Sequence, residues 1–186
     1  MQQLTDIEKS IIEQCRNDNL QDFRKLVEKE SPFVFSVAFR ILGNNDDAED
    51  VVQETMITIW GKIKEVKSAE SFRPWLYRII VNKCYDRMRK KKREPETTAD
   101  DRTWALISNK MYEIPGTNLE NEELARIINL LTGKLSAKQK TVFVLSEIEE
   151  LSNDEISIVT GMTKLNIKAN LHYARKRLNE MIQKHL

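Results

Sequence analysis

The chain has 186 residues, 40% of them hydrophobic and 32% charged, and its formal net charge is +1. This composition is typical of one globular domain or two small ones, and it excludes collagen-like and mucin-like chains. No apolar run approaches the roughly 20 residues that a membrane-spanning helix needs, and the N-terminal residues lack the basic and apolar regions of a secretion signal, so we expect a cytoplasmic protein.

Helical periodicity dominates the sequence. Apolar residues recur at i, i+3 and i+4 spacing, and the chain has only five glycines and four prolines, which predicts an all-α protein. A first helix is predicted from Thr5, where a capping box starts, to Asn17, and a second from residue 21 to residue 30. Ser31-Pro32 is interpreted as a break before a further helix.

A helix with an acidic start is predicted from residue 46 to about residue 63. Five acidic residues lie in this segment without an intervening base: Asp46, Asp47, Glu49, Asp50 and Glu54. Negative charge near a helix start suits the helix dipole, which is a purely structural explanation of the cluster. The buried face is predicted at Ala48, Val52, Thr55, Ile59 and Ile63.

Residues 72–93 begin with aromatic residues and end in a nearly unbroken basic run. Ser71 is predicted to cap this helix, with Pro74 in its first turn. Aromatic rings stack on bases and cations hold phosphates, so the segment indicates nucleic-acid binding. The alternative is an ordinary amphipathic helix with a solvated basic tail.

The middle of the chain has the composition of a linker in residues 94–101 and a second break at Ile114-Pro115-Gly116. Between these breaks, Trp104 and its neighbours are too apolar for a plain spacer. A helix is predicted again over residues 119–131.

The C-terminal part has the pattern of a helix-turn-helix. Capping boxes are predicted at Ser136 and Ser152, Gly161 is expected to end a short helix in the left-handed conformation, and Thr163 is expected to cap the last helix. On that helix the buried side is predicted at Ile167, Leu171, Ala174 and Leu178. The outward side is predicted at Leu165, Lys168, Ala169, His172, Tyr173 and Lys176.

In a DNA-binding helix-turn-helix the early outward residues of the second helix reach base edges, so Lys168, Ala169 and His172 are candidates for that role. The alternative is a structural helical hairpin with a solvated outer face.

The two cysteines, Cys15 and Cys84, lie far apart and have no cysteine or histidine neighbour at metal-ligand spacing. We expect free thiols rather than a disulfide or a zinc site, and we expect no metal and no cofactor.

Residues 46–60 resemble region 2.2 of bacterial sigma factors of the extracytoplasmic-function class, which belong to the sigma-70 superfamily. In that family this helix binds the clamp coiled coil of the largest RNA polymerase subunit. The resemblance implies four residues that contact core polymerase: Asp50, Gln53, Glu54 and Trp60.

Residues 72–93 are similar to regions 2.3 and 2.4 of the same family, with Trp75-Leu76-Tyr77-Arg78-Ile79 and Asn82 at family positions. The resemblance implies that this segment recognises and melts the minus-ten promoter element. The residues implied in that contact are Trp75, Tyr77, Arg78, Asn82, Lys83 and Arg87.

Residues 135–178 resemble region 4, which reads the minus-thirty-five element. The residues implied here are Lys164, Lys168, Ala169, His172, Tyr173 and Lys176. The chain departs from the common pattern at Ala169, Asn170 and Tyr173, where serine and two arginines are usual, so the promoter sequence does not carry over.

Taken over the whole chain, the resemblance implies two small helical domains and a linker: residues 1–93 as region 2, 94–118 as the linker and 119–186 as region 4. It implies a sigma factor that directs promoter-specific initiation without a catalytic site of its own. Core RNA polymerase and promoter DNA are the implied partners, and an anti-sigma factor is a further one.

Two other hypotheses compete with the sigma factor. A conventional helix-turn-helix regulator acting without core polymerase would leave the acidic helix unexplained. A metal-dependent nuclease would need carboxylates that converge from separate elements, whereas consecutive positions on one helix diverge.

Overall fold

The computed structural model describes residues 6–15, 20–91 and 132–185. The described residues form seven α-helices and no β-strand. These helices are α1 (Asp6–Cys15), α2 (Leu20–Leu42), α3 (Asn45–Lys62), α4 (Ala69–Lys91), α5 (Ala137–Phe143), α6 (Asn153–Thr160) and α7 (Lys164–His185). A 3₁₀ turn (Ile63–Glu65) follows α3 and a π-helical turn (Val144–Ile148) follows α5. The predicted all-α class is confirmed, and no helix in the described part of the chain has the length and hydropathy to span a membrane.

The N-terminal unit consists of α1 to α4, with α2 in contact with each of the other three helices. Apolar residues three or four positions apart place one side of each helix in a common core. The core includes Leu26, Val34, Val37 and Ile41 of α2, Ala48, Val51 and Ile59 of α3, and Phe72, Leu76 and Ile80 of α4. The predicted core positions on α3 and at Ile63, which begins the 3₁₀ turn after it, are buried except Val52, which is partly buried.

The predicted break at Ser31-Pro32 is wrong, because α2 continues through Pro32. The Ser31 hydroxyl donates a hydrogen bond to the carbonyl of Val27 at 2.6 Å. Next to the proline, buried Glu30 pairs with Arg73 of α4 at 2.6 Å, and the Arg73 guanidinium lies 4.5 Å from the centre of the Phe33 ring. These contacts on either side of Pro32 offset the free-energy cost of about 3 kcal/mol that a proline has inside a helix.

The predicted cap at Ser71 is also wrong, because α4 begins two residues earlier, at Ala69. The Ser71 hydroxyl instead donates to the carbonyl of Ser68 at 2.7 Å and accepts from the Ser68 amide at 3.1 Å. Pro74 therefore lies in the second turn of the helix. The hydroxyl folds back on the residue preceding the helix, so the start moves toward the N-terminus.

The C-terminal unit consists of α5, α6 and α7 and confirms the predicted caps. Both capping boxes form, Ser136 with Gln139 before α5 and Ser152 with Glu155 before α6. Gly161 ends α6 at φ +71°, and the Thr163 hydroxyl accepts from the amide of Asn166 at 3.3 Å at the start of α7. The predicted cap at Thr5, the linker and the helix over residues 119–131 lie outside the described residues.

The two units pack against each other, chiefly through α4 and α6, and one continuous cluster of buried side chains runs through both. Glu149, in the turn before α6, accepts hydrogen bonds from Arg40 of α2 at 2.6 Å and from the Tyr77 hydroxyl of α4 at 2.9 Å. In this conformation a buried polar contact therefore joins the C-terminal unit to two helices of the N-terminal unit.

Candidate functional site

Arg87 of α4 holds two acidic side chains of α3. Its Nη1 donates to Asp50 at 2.5 Å and its Nη2 donates to Glu54 at 2.8 Å. Lys83, one turn earlier on α4, lies 3.1 Å from the second oxygen of Glu54. Charge-assisted hydrogen bonds of this kind are directional, so they fix how α3 lies along α4.

These contacts also set the protonation of Glu54 and Arg87. Burial by itself would raise the pKa of Glu54, but hydrogen bonds and positive charge from Lys83 and Arg87 outweigh it and lower the pKa below its usual 4.5. Burial would lower the pKa of Arg87, yet the carboxylates of Glu54 and Asp50 raise it. Both groups are therefore ionised at neutral pH.

The outward face of α3 carries Gln53, Ile57 and Trp60. Spacings of four and three place these residues on one stripe of the helix. Ile57 is 72% exposed and Trp60 is 45% exposed, although the Trp60 ring also lies 4.6 Å from that of Phe23 on α2. An aromatic and an aliphatic side chain beside an amide form a surface that suits a protein partner.

The four candidates on α3 are thus divided between two sides of the helix. Gln53 and Trp60 face outward, whereas Asp50 and Glu54 lie against α4. Ile57 is not among the contacts predicted from the sequence. Its spacing of four residues from Gln53 was the signal that would have identified it.

The six candidates on α4 are also oriented differently from one another. Arg78 and Asn82, spaced by four, are exposed on one face, and Trp75 is partly buried against the core. Lys83 and Arg87 lie on the side of α4 that meets α3. The free polar surface of α4 is therefore centred on Arg78 and Asn82.

Tyr77 lies between the two units and is only 5% exposed. Its hydroxyl donates to Glu149, and its ring meets Phe33 edge-on with the ring centres 5.2 Å apart. Burial and then the nearby charge of Glu149 raise the pKa of Tyr77 well above its usual value. In this conformation the side chain of Tyr77 contacts the C-terminal unit and not solvent.

The basic run at the end of α4 is only partly within the described residues. Lys90 is exposed, and Arg89 pairs with Asp86 one turn earlier. Lys92 and Arg93 lie outside the described residues.

The outward side of α7 has the composition that the sequence predicted. The four residues predicted to be buried are buried, which confirms that prediction. The exposed residues include all six candidates: Lys164, Lys168, Ala169, His172, Tyr173 and Lys176. The free face of α7 is therefore basic, and it lies next to the turn at Gly161.

A groove of about 450 Å³ lies between the start of α6 and the outward side of α7. Lys168, His172 and Arg175 line it from α7, and Ser152 and Asn153 line it from the start of α6. Lys168 and Arg175 bring positive charge to the groove, which suits an anion such as a DNA phosphate.

Both cysteines are free thiols, and both are buried. Burial is the main reason that the pKa of Cys15 is raised to about 11 and that the pKa of Cys84 is raised still further. Within residues 6–15, 20–91 and 132–185, no three histidine, cysteine, aspartate or glutamate side chains come together as a metal site.

Comparison with known families identifies two matches that lie on the two units. Residues 26–94 match the model of sigma-70 region 2, and residues 123–178 match the model of sigma-70 region 4. The first match covers most of α2 and all of α3 and α4, and the second covers α5, α6 and most of α7.

Relatives align over nearly the whole chain. The chain is 30% identical over 182 residues to the ECF RNA polymerase sigma factor SigW of Bacillus subtilis, covering 94% of this chain and 96% of that protein. It is 27% identical to the RNA polymerase sigma factor SigV of the same organism, covering 95% and 93%.

Two solved structures have a similar fold. CnrH, in a complex with the cytosolic domain of CnrY, superposes with a TM-score of 0.66 at 25% identity, covering 96% of this chain and 99% of that chain. The sigma factor RpoE of Bartonella quintana, in a complex with the anti-sigma factor NepR, superposes with a TM-score of 0.64 at 24% identity, covering 88% and 98%.

Proposed function

The chain belongs to the extracytoplasmic-function class of the sigma-70 family and directs transcription initiation at promoters, and we propose that three separate surfaces carry out this function. Its partners are core RNA polymerase and promoter DNA. The observation that carries this assignment is that both family matches fall on folded helical units, one on each side of the linker.

The first surface, on α3, binds the clamp coiled coil of the largest polymerase subunit. Gln53, Ile57 and Trp60 support this role because they are exposed and aligned, and large exposed side chains are typical anchors of protein interfaces. Asp50 and Glu54 act in the same contact at its edge. Their pairs with Arg87 and Lys83 hold α3 in place and limit how far the two carboxylates are free to reach a partner.

The second surface, on α4, binds the minus-ten element. Arg78 and Asn82 are exposed and spaced by four, so they suit contacts with an unpaired strand. Trp75 offers part of its ring beside them. Lys83, Arg87 and Tyr77 contribute only if their present partners are exchanged for DNA.

The third surface, on α7, reads the minus-thirty-five element. Lys164, Lys168, Ala169, His172, Tyr173 and Lys176 form its exposed face. Early outward residues of a recognition helix reach base edges, and flanking cations hold phosphates. The groove beside Ser152 offers a place for one such phosphate.

The domain limits that fit these surfaces are residues 1–93 for region 2, 94–118 for the linker and 119–186 for region 4. The protein acts in the cytoplasm as a specificity subunit and supplies no catalytic group of its own. An anti-sigma factor is a further partner, since RpoE, a protein of similar fold, is found in a complex with the anti-sigma factor NepR.

Run-off transcription with purified core polymerase and genomic fragments tests the assignment. Adding the protein should produce transcripts from defined start sites that core polymerase alone does not make. A conventional regulator would instead bind DNA without changing start-site selection by core polymerase, and that result would contradict the proposal.

A further inference from the structure

Two apolar residues, Leu165 and Ala169, lie at the start of α7 on the face assigned to DNA. Leu165 is 78% exposed, the highest value among the large apolar side chains that are exposed in the described residues, and Ala169 is exposed one turn later. At about 100° per residue, both fall on one stripe with His172 and Lys176. The stripe is therefore apolar at the helix start and polar beyond it.

The contacts that hold the start of α7 come from residues other than Leu165. The start of α7 is set by the Thr163 cap, and the helix is anchored by Ile167, which is completely buried. The turn before α7 is held by Gly161 and by the Ser157 hydroxyl, which donates to the carbonyl of Met162 at 2.7 Å. The exposed Leu165 side chain is therefore available to a partner of α7.

The charge around Leu165 favours DNA as its partner. Residues 164–177 include no acidic residue, and their cations are Lys164, Lys168, Arg175, Lys176 and Arg177. Lys164 pairs with Asp154 of α6, and Arg175 pairs with Glu147, so these two cations lie at the edges of the face. A basic surface with one apolar side chain is better suited to bind a DNA groove than to bind an apolar protein surface.

The chemistry of the base edges limits which DNA base the Leu165 side chain is able to recognise. Neither Leu165 nor Ala169 carries a hydrogen-bonding group in its side chain, whereas the major-groove edges of guanine, cytosine and adenine offer only donors and acceptors. Thymine alone presents an apolar group there, its C5-methyl, which aliphatic side chains contact. The N-terminal residues of a recognition helix are also those that contact base edges.

We propose that Leu165, with Ala169 beside it, recognises thymine C5-methyl groups in the minus-thirty-five element. This inference rests on the proposed function and specifies the base chemistry that one part of α7 reads. Lys168 and His172 supply the polar contacts next to it.

The test compares thymine with deoxyuridine, which lacks only the methyl group. The full-length protein, assembled with core polymerase, is first used to select preferred upstream sequences from promoter fragments randomised in that region. Each preferred thymine is then replaced by deoxyuridine, one at a time. Loss of one methyl contact should weaken binding by about fourfold at one or two positions.

Leu165→Ala should remove most of this penalty, because its shortened side chain no longer reaches the methyl group. Ile158→Ala is the matched control, since Ile158 is 62% exposed on α6 and lies outside the recognition helix. Ile158→Ala should keep the full loss of binding when thymine is replaced by deoxyuridine.

The inference is overturned if deoxyuridine binds as well as thymine at every preferred position, or if Leu165→Ala keeps the full penalty. Selection of a preferred upstream sequence without any methyl dependence would leave the proposed function standing and remove only this inference. No upstream preference at all would remove both.

Discussion

Ile57 is the candidate polymerase contact whose side chain should contribute least to the stability of the fold. Its side chain is 72% exposed, so Ile57→Ala should change the free energy of unfolding by no more than about 0.5 kcal/mol. An anchor residue in a protein interface contributes more than about 1 kcal/mol, so affinity for core polymerase should fall by at least about fivefold. Titration of labelled protein with core polymerase measures this change.

Ile158→Ala removes the same atoms from a similarly exposed isoleucine on α6 and should leave that affinity unchanged. Equal binding by wild type and Ile57→Ala would show that the outward stripe of α3 is not the contact.

Glu54 gives the attachment of α3 to α4 a defined pH dependence. Its pKa is lowered in the folded protein, so its stabilising contribution is fully present above the usual pKa of 4.5 and is lost as pH falls through the folded-state value. Because the side chain is 38% exposed, the contribution is at most about 1 kcal/mol. Glu54→Gln should therefore be less stable than wild type at pH 7 in urea unfolding.

The difference between wild type and Glu54→Gln should shrink below pH 4.5 as the wild-type carboxylate is protonated. A difference that stayed constant with pH would mean that the Glu54 charge, and so its pairs with Lys83 and Arg87, does not stabilise the fold.

Replacing two glycines by alanine should change the stability of the helices in opposite directions. Gly161 ends α6 at φ +71°, where a Cβ meets no atom within 4 Å but the backbone is unfavourable, so Gly161→Ala should cost about 1 kcal/mol. Gly61 lies inside α3, also with open space around a Cβ, so Gly61→Ala should gain up to about 1 kcal/mol. Thermal unfolding of the two variants measures both changes.

These two substitutions add the same methyl group, so they control for each other. Equal shifts for both variants would contradict the assignment of the Gly161 effect to its left-handed backbone conformation.

Glu149 connects the N-terminal and C-terminal units. Its side chain is 7% exposed and that of its partner Arg40 is 19% exposed, so Glu149→Ala leaves a largely buried cation unpaired. The free energy of unfolding should fall by about 3 kcal/mol in this variant. Small-angle scattering should record a larger radius of gyration, because the contact between α2, α4 and the C-terminal unit is weakened.

Glu147→Ala provides the comparison, because Glu147 lies two residues away and its partner Arg175 is mostly exposed. Glu147→Ala should lower the free energy of unfolding by less than about 1 kcal/mol and leave the radius of gyration unchanged. If Glu149→Ala behaved in the same way, the buried contact would not hold the units together.

The contact at Glu149 also bears on promoter binding. Tyr77 is a predicted minus-ten residue, yet its hydroxyl is bonded to Glu149 and its side chain is buried between the units. A role for Tyr77 on DNA therefore requires the α4 and α6 surfaces to separate first. Glu149→Ala should then increase the reactivity of Tyr77 toward a tyrosine-modifying reagent.

The helix caps of the C-terminal unit and the buried face of α7 follow from the sequence alone. Both capping boxes, the left-handed Gly161, the cap at Thr163 and the buried face of α7 are formed as predicted. Each of them depends on residues within a few positions of one another, or on the repeat of a single helix. Such interactions are present in the sequence pattern before any tertiary packing.

Tertiary structure decided the features that join distant residues. Arg87 meets Glu54 across 33 positions and Arg40 meets Glu149 across 109 positions, so no local spacing predicts either pair. The same cause explains the continuous α2, since packing of Glu30 against Arg73 overrides the local effect of Pro32. Sequence periodicity thus fixed which faces of the helices are apolar, while packing decided which charged residues remain free to bind polymerase and DNA.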